Sequence, residues 1–298
     1  MATFELILTL LTAVVALVWV ADRTRVPYPM MLLAGGIVLA VLPWTPVIEL
    51  DPELVLVIFL PPILFQAAQT TSLRDFKIQF NVISRLAIGL VLATTAAVAV
   101  VAHFVIPELG WPAAFVLGAV VSPPDAVAAT AIFNRLGAPG RIVTILEGES
   151  LINDASAIVL YTFAVSAVVT GSFSFGAALL EFVIVVVVGV GIGVVAGRGL
   201  GKVVTLIGDP TLSAIVLLLA PAGIYVLTEN LGGSGVLAVV VAGLIHGYFA
   251  SHSLSAAARV RGVAIWDLVT LMVNGLVFLL IGMEFGALRS VFVAYGTW

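Results

Sequence analysis

Apolar runs of similar length fill this chain from Phe4 to Gly282, and its charged residues fall mostly in the short connections between them. A bilayer core of ~30 Å takes about 20 apolar residues per helical crossing. Broken at Pro, Gly and charge, the runs place spans near 4–20, 29–42, 54–69, 83–105, 111–133, 142–170, 175–197, 210–228, 234–249 and 266–284. The second and ninth are short for a bilayer, which implies tilt, partial interfacial placement or extension into their flanks. Only 9% of the 298 residues are charged and 62% are hydrophobic, whereas a soluble domain carries about a quarter charged residues. Water is therefore the wrong solvent for most of this surface. The expected fold is all-α, a polytopic membrane protein of about ten transmembrane helices forming a single domain over 1–298.

Composition also excludes. The net charge of −4, with basic residues scattered among connections, implies no nucleic-acid partner. No cysteine is present, which rules out thiol catalysis, a cysteine metal site and disulfides. The first run lacks a basic leader and a small-residue cleavage site, so it reads as a retained helix. The glycines from Gly189 to Gly201 point to close helix packing; no following Lys-Ser/Thr completes a phosphate loop. No cofactor is expected, and the class is a transporter rather than an enzyme.

Orientation follows from counting, because cytoplasmic loops are enriched in Lys and Arg. Alternate connections carry Arg23 and Arg25, then Arg74, Lys77 and Arg85, then Arg135 and Arg141, then Arg198 and Lys202, then Arg259 and Arg261. Eleven of the twelve basic residues thus lie on one side, and only Arg289 breaks the pattern. The opposite connections hold Glu49, Asp51, Glu53, Glu108 and Glu229. An N-terminus outside the cell membrane satisfies this split. Residues 70–82, with Arg74, Asp75 and Lys77 among apolar positions, read as a short amphipathic linker helix on the membrane surface.

An internal echo accompanies the spans. The run Leu32-Leu33-Ala34-Gly35-Gly36-Ile37 resembles Val240-Val241-Ala242-Gly243-Leu244-Ile245. It aligns spans eight to ten with spans one to three. An odd offset of seven spans makes the copies inverted in the membrane, a recurrent transporter design. The first repeat then covers about 1–171, a linker helix 175–197, and a partial second repeat 210–285.

Charges deep in a membrane are costly and call for a function or a partner. One cluster is Ser122-Pro123-Pro124-Asp125 in the fifth span. Consecutive prolines remove two backbone donors and clash with the preceding turn, so the helix unwinds and its carbonyls are freed. Carboxylate, hydroxyl and carbonyl oxygens together suit a hard monovalent cation. The plainer reading is a proline kink with Asp125 snorkelling or salt-bridged. The other cluster is Glu147-Gly148-Glu149-Ser150-Leu151-Ile152-Asn153-Asp154 in the sixth span. Helical spacing puts Glu147, Ser150 and Asp154 on one face and pairs Glu149 with Asn153 on its neighbour. A capped, solvated helix end is the alternative, opposed by the apolar run from Ala155 to Val169. Two carboxylates in a low-dielectric cavity bind protons as well as cations, because burial and mutual repulsion disfavour a pair of bare charges. Competition of the two at one site yields exchange.

These paired motifs resemble the signature of the monovalent cation/proton antiporter superfamily, in its bacterial sodium/proton exchanger branch. Leu60-Pro61-Pro62-Ile63-Leu64-Phe65, the run Gly235 to Gly243 and the run Asn274 to Gly282 are similar to that branch as well. The resemblance implies secondary antiport of sodium, or potassium or lithium, against protons across a lipid bilayer, by alternating access. It makes Asp154 the essential cation- and proton-binding carboxylate, with Asp125, Ser150 and the backbone at Pro124 as further cation ligands or supports. Asn153 corresponds to the neighbour found in electroneutral members, and relatives are commonly homodimers. Glu149 matches a glutamate that pairs with an arginine on a later helix; the chain stops at Trp298 before any such helix, so a truncated product is expected. Gln66 stands where some relatives carry glutamate.

Other readings are a truncated, non-transporting membrane scaffold and an intramembrane aspartyl protease built on Asp125 and Asp154. The second lacks the Gly-x-Gly-Asp and Tyr-Asp contexts that such a dyad requires. His103, His246 and His252 read as satisfied or solvated rather than as sensors or ligands. Asn274 and Asp267 read as polar glue between helices.

Overall fold

Helices account for all the regular structure of the described residues, which are 2–42, 57–124, 129, 132–133, 136–171, 175–253 and 256–295 of a computed structural model. The main elements are α1 (Ala2–Thr24), α2 (Tyr28–Val41), α3 (Leu60–Thr70), α4 (Leu73–Ser84), a π segment (Arg85–Leu90), α5 (Val91–Val105), α6 (Trp111–Val121), α7 (Gly140–Thr170), α8 (Phe175–Ile207), α9 (Pro210–Asn230), α10 (Gly235–Ser253) and α11 (Ala256–Tyr295). Among the described residues, five stretches are long and apolar enough to cross a membrane: Leu73–Val105, Gly140–Thr170, Leu179–Ile207, Thr211–Asn230 and Ile265–Glu284. Three shorter apolar helices, Tyr28–Val41, Trp111–Val121 and Gly235–Ala250, occupy the second, fifth and ninth expected spans.

The chain divides into two compact units, one made of Met1–Ile63 with Val260–Trp298 and the other of Leu64–Arg259. In the first unit, Leu10 and Val14 of α1, Leu32 of α2 and Leu279, Leu280 and Met283 of α11 form the core. Gly36 and Gly282 let α2 and α11 touch backbone to backbone, since a Cβ on Gly36 would lie 2.9 Å from the Gly282 Cα. Asn274 is buried within this unit, while Asp267 is exposed.

The second unit is organised by small residues. Gly189, Gly193 and Gly197 of α8 recur every four residues and sit on the backbone of Ser234, Ala238 and Ala242. Lipid supplies no hydrophobic drive for helices to pair, so close backbone approach through small side chains does that work. The outward side of α8 is correspondingly apolar, with Val195 73% and Leu206 84% exposed. Helices α5 and α6 pack through Ala99, Ala102 and Ala114.

Three expected boundaries are corrected. Residues 70–82 are not a separate linker, because α4 runs through the π segment into α5 without a break. The wide π turns keep Ala87 and Val91 on the side that buries Phe76 and Ile83, and no proline intervenes. Helix α8 continues about three turns past the expected end at 197 and carries Arg198 and Lys202 within it. It stops only at Gly208, whose φ is 66°, followed by an Asp209 side chain that accepts a hydrogen bond from the Leu212 N–H at 2.8 Å. Helix α11 likewise extends beyond 266–284 at both ends.

Candidate functional site

Helix α6 ends where its sequence denies it donors. Pro123 and Pro124 cannot supply the N–H groups that the carbonyls one turn earlier need, and their rings crowd that turn. Regular helix accordingly stops at Val121, and Ser122, 5% exposed, turns its hydroxyl onto the Ala119 carbonyl at 3.2 Å. The carbonyl of Pro124, just past the break, is met from another helix: Asn153 Nδ2 of α7 donates to it at 3.4 Å. The same nitrogen donates to Glu149 Oε1 at 2.9 Å. Both partners are acceptors, so the amide's orientation is fixed and Oδ1 points the other way. That oxygen is buried and has no hydrogen-bond partner among the described residues. Asn153 is fully buried and Glu149 is 5% exposed.

Asp154 follows Asn153 on α7 and is half-buried, as are Ser150 and Glu147 on the same helical face. Helix α7 is unbroken from Gly140 to Thr170, so the acids lie within a continuous helix rather than at a capped end. The structure brings together Pro124, Glu149 and Asn153, with Ser150 and Asp154 beside them on α7. Asp125, the other expected carboxylate, lies outside the described residues, as do Arg135, Arg259 and Arg261 in part or whole. The pairing of Glu149 with Asn153 was legible as an i, i+4 pair.

Sequence reasoning missed the neighbours of Glu147. Thr71, 6% exposed, follows α3 and shares a side-chain hydrogen bond with Glu147. Gly148 lies against Ile83 and Phe76 of α4; a Cβ there would come within 2.7 Å of the Ile83 Cδ1. No local pattern signals either contact, since both join segments far apart in the chain. His246 is also corrected. It is 2% exposed, its ring lies 5.8 Å from that of Phe65, and its Nδ1 is buried without a partner among the described residues. Helix α10 packs closely on α3 on this side, with Gly243 against the Phe65 carbonyl and Gly247 against the Gln69 carbonyl.

Carboxylate, hydroxyl, amide and carbonyl oxygens of the kind these residues carry are hard donors, which suit alkali cations over soft metals. A carboxylate among such donors can bind a cation or be protonated, one in place of the other.

The family described as sodium/hydrogen exchanger, transmembrane, matches residues 9–295. A sodium, potassium, lithium and rubidium/H+ antiporter of Bacillus pumilus is 34% identical over 87% of this chain and 40% of its own length. An uncharacterized Na+/H+ exchanger of Escherichia coli, YjcE, is 37% identical over 92% of this chain and 52% of its own. The chain therefore spans about half the length of the curated relatives it matches. The solved sodium proton antiporter MjNhaP1 of Methanocaldococcus jannaschii shares the fold, with a TM-score of 0.74 at 20% identity over 95% of this chain and 71% of the other.

Proposed function

The chain belongs to the transmembrane sodium/hydrogen exchanger family, and from that premise we propose that it carries the ion-binding half of a carrier exchanging a monovalent cation, sodium first, for protons. The observation that supports this most is the bond from Asn153 to the Pro124 carbonyl, which ties the broken helix to the acid-bearing one. In this reading Asp154 binds the cation or the proton, Ser150 and Asp125 add oxygen ligands, and the Pro124 carbonyl offers its second lone pair. Asn153 cannot take up a proton, so the Asn153-Asp154 pair presents one titratable group, and one cation leaves for each proton bound there. Glu149 holds the Asn153 amide rather than the ion. Potassium and lithium fit the same donor set.

The inverted repeat belongs to this proposal too. If spans eight to ten copy spans one to three, α2 on α11 and α10 on α3 are equivalent pairings, each joining a helix of one copy to a helix of the other. Both pairings occur, each within its own unit, through Gly36 with Gly282 and through Gly243 on Phe65 and Ala68. The reading puts the first repeat at about 1–171, a linker helix at about 175–197 and a partial second repeat at about 210–285. A cell-membrane location, an outward N-terminus and a homodimer complete the reading.

The test is cation-dependent proton release in everted vesicles, followed by fluorescence dequenching, for wild type and Asp154→Asn. Release by wild type with sodium, lost in the variant, supports exchange. Release that survives in the variant would remove Asp154 from the role given to it, and no release from wild type would favour a scaffold.

A further inference from the structure

We propose that the outward face of α4 is a binding surface for anionic phospholipid, built from Arg74, Lys77 and Arg85. The stretch Leu73–Val105 is 33 residues long. At ~1.5 Å per residue it outruns a ~30 Å hydrocarbon core by about a dozen residues. Residues Val91–Val105 carry no Asp, Glu, Lys or Arg, so the excess lies at the α4 end, at the depth of lipid headgroups. Arg74, Lys77, Ile78, Asn81 and Arg85 recur at three- and four-residue spacings and share one face. All five are exposed, Ile78 to 64%. The opposite face, Phe76, Ile83 and Ala87, is buried.

The chemistry of that face selects its occupant. Three cations stand around exposed Ile78 and Val82, and the apolar surface continues through Leu86 and Leu90 into the span. A ligand with phosphate at one end and acyl chains running along the helix matches this layout. A soluble anion matches only the cations. Asp75 is the one acid in the stretch and sits in the first turn, beside the Ser72 cap, where it favours the helix N-terminus. The buried side of α4 touches Gly148, between Glu147 and Glu149. A lipid holding α4 therefore supports the acid helix from behind, a coupling that rests on the exchange reading above; the binding itself does not.

The test uses the full chain, purified and stripped of lipid in neutral detergent, then given phosphatidylglycerol or phosphatidylcholine. Native mass spectrometry counts the retained lipid and a thermal melt reads its effect. Wild type is expected to keep phosphatidylglycerol preferentially and to melt higher with it. Each basic residue beside an anionic surface contributes about fivefold, so R74Q/K77Q/R85Q binds about a hundredfold more weakly. R74K/R85K keeps binding, as does R198Q/K202Q on α8. Equal phosphatidylglycerol retention by the triple variant overturns the proposal. So does equal loss in R198Q/K202Q, which would mean diffuse surface charge, or the same melting shift from inorganic phosphate. If the triple variant is unstable, single R85Q must still weaken binding about fivefold while R74K/R85K does not. Antiport in liposomes with and without phosphatidylglycerol reads the coupling. Failure of antiport in both lipids would sink the exchange reading and leave the lipid result standing.

Discussion

Asn153 and Pro124 lie 29 residues apart in the chain, yet the amide of one closes on the carbonyl of the other at 3.4 Å, with Glu149 held by the same nitrogen at 2.9 Å. The stretch just past the break is thereby tied to the helix that carries the acids. Truncation of Asn153 takes this donor from the buried Glu149 carboxyl and from the Pro124 carbonyl, and a buried acceptor left unpaired costs about 1–3 kcal/mol. Asn153→Ala is expected to melt lower by several degrees in detergent and to lose sodium-dependent proton release. Asn153→Asp replaces the donor with another acceptor beside Glu149 and is expected to melt lower still at neutral pH. A melt equal to wild type for both would mean that this bond does not hold the break.

The contact of α8 with α10 gives a paired test. A Cβ on Gly193 would meet the Ala238 carbonyl at 2.6 Å and the Val241 Cβ at 2.8 Å. Backbone cannot give way there, so Gly193→Ala is expected to cost about 1–3 kcal/mol by overpacking. Gly191, two residues away on the same helix, has nothing within 4 Å of its ideal Cβ. Gly191→Ala gains helix propensity, about 0.5–1 kcal/mol. Thermal melts of the two should move in opposite directions.

Burial of His246 with no partner for Nδ1 among the described residues carries a cost that an apolar side chain would not. His246→Leu keeps the contact with Phe65 approximately filled and removes the orphaned nitrogen. Its Tm is expected to equal or exceed that of wild type. A marked drop would show that the ring nitrogen has a partner the protein relies on.

Much of this was legible in residue order, and the reasons differ by scale. Spans follow from solvent: an apolar run of membrane length has few other fates, and α2, α7, α9 and α10 lie close to where the runs put them. The stop after Val121 follows from proline's missing N–H, and the Glu149-Asn153 bond from helical spacing. What could not be read is contact across the fold. Thr71 beside Glu147, the α4 side chains against Gly148, and the sealed ring of His246 depend on which helix packs on which. The unbroken passage from α4 to α5 was hidden for a related reason. Polar residues marked the segment as surface, and only the burial of Phe76, Ile83 and Ala87 along one side explains why the helix never ends.

The double proline itself allows stability and transport to be separated. A proline inside a helix costs about 3 kcal/mol through its lost hydrogen bond and the clash with the preceding turn. In Pro123→Ala/Pro124→Ala both penalties vanish, so α6 can extend past Val121 and its Tm is expected to hold or rise. The same change returns an intrahelical donor to carbonyls that the break had freed, and moves the carbonyl at 124 away from Asn153 Nδ2. Cation-dependent proton release should then be lost from a protein at least as stable as wild type, the trade expected where a strained element serves function. The result is read by running melts and vesicle assays on the same preparation. A double variant that still exchanges sodium for protons would detach the broken helix from the ion site, and leave Asp154 and Ser150 to bind the cation with ligands drawn from elsewhere.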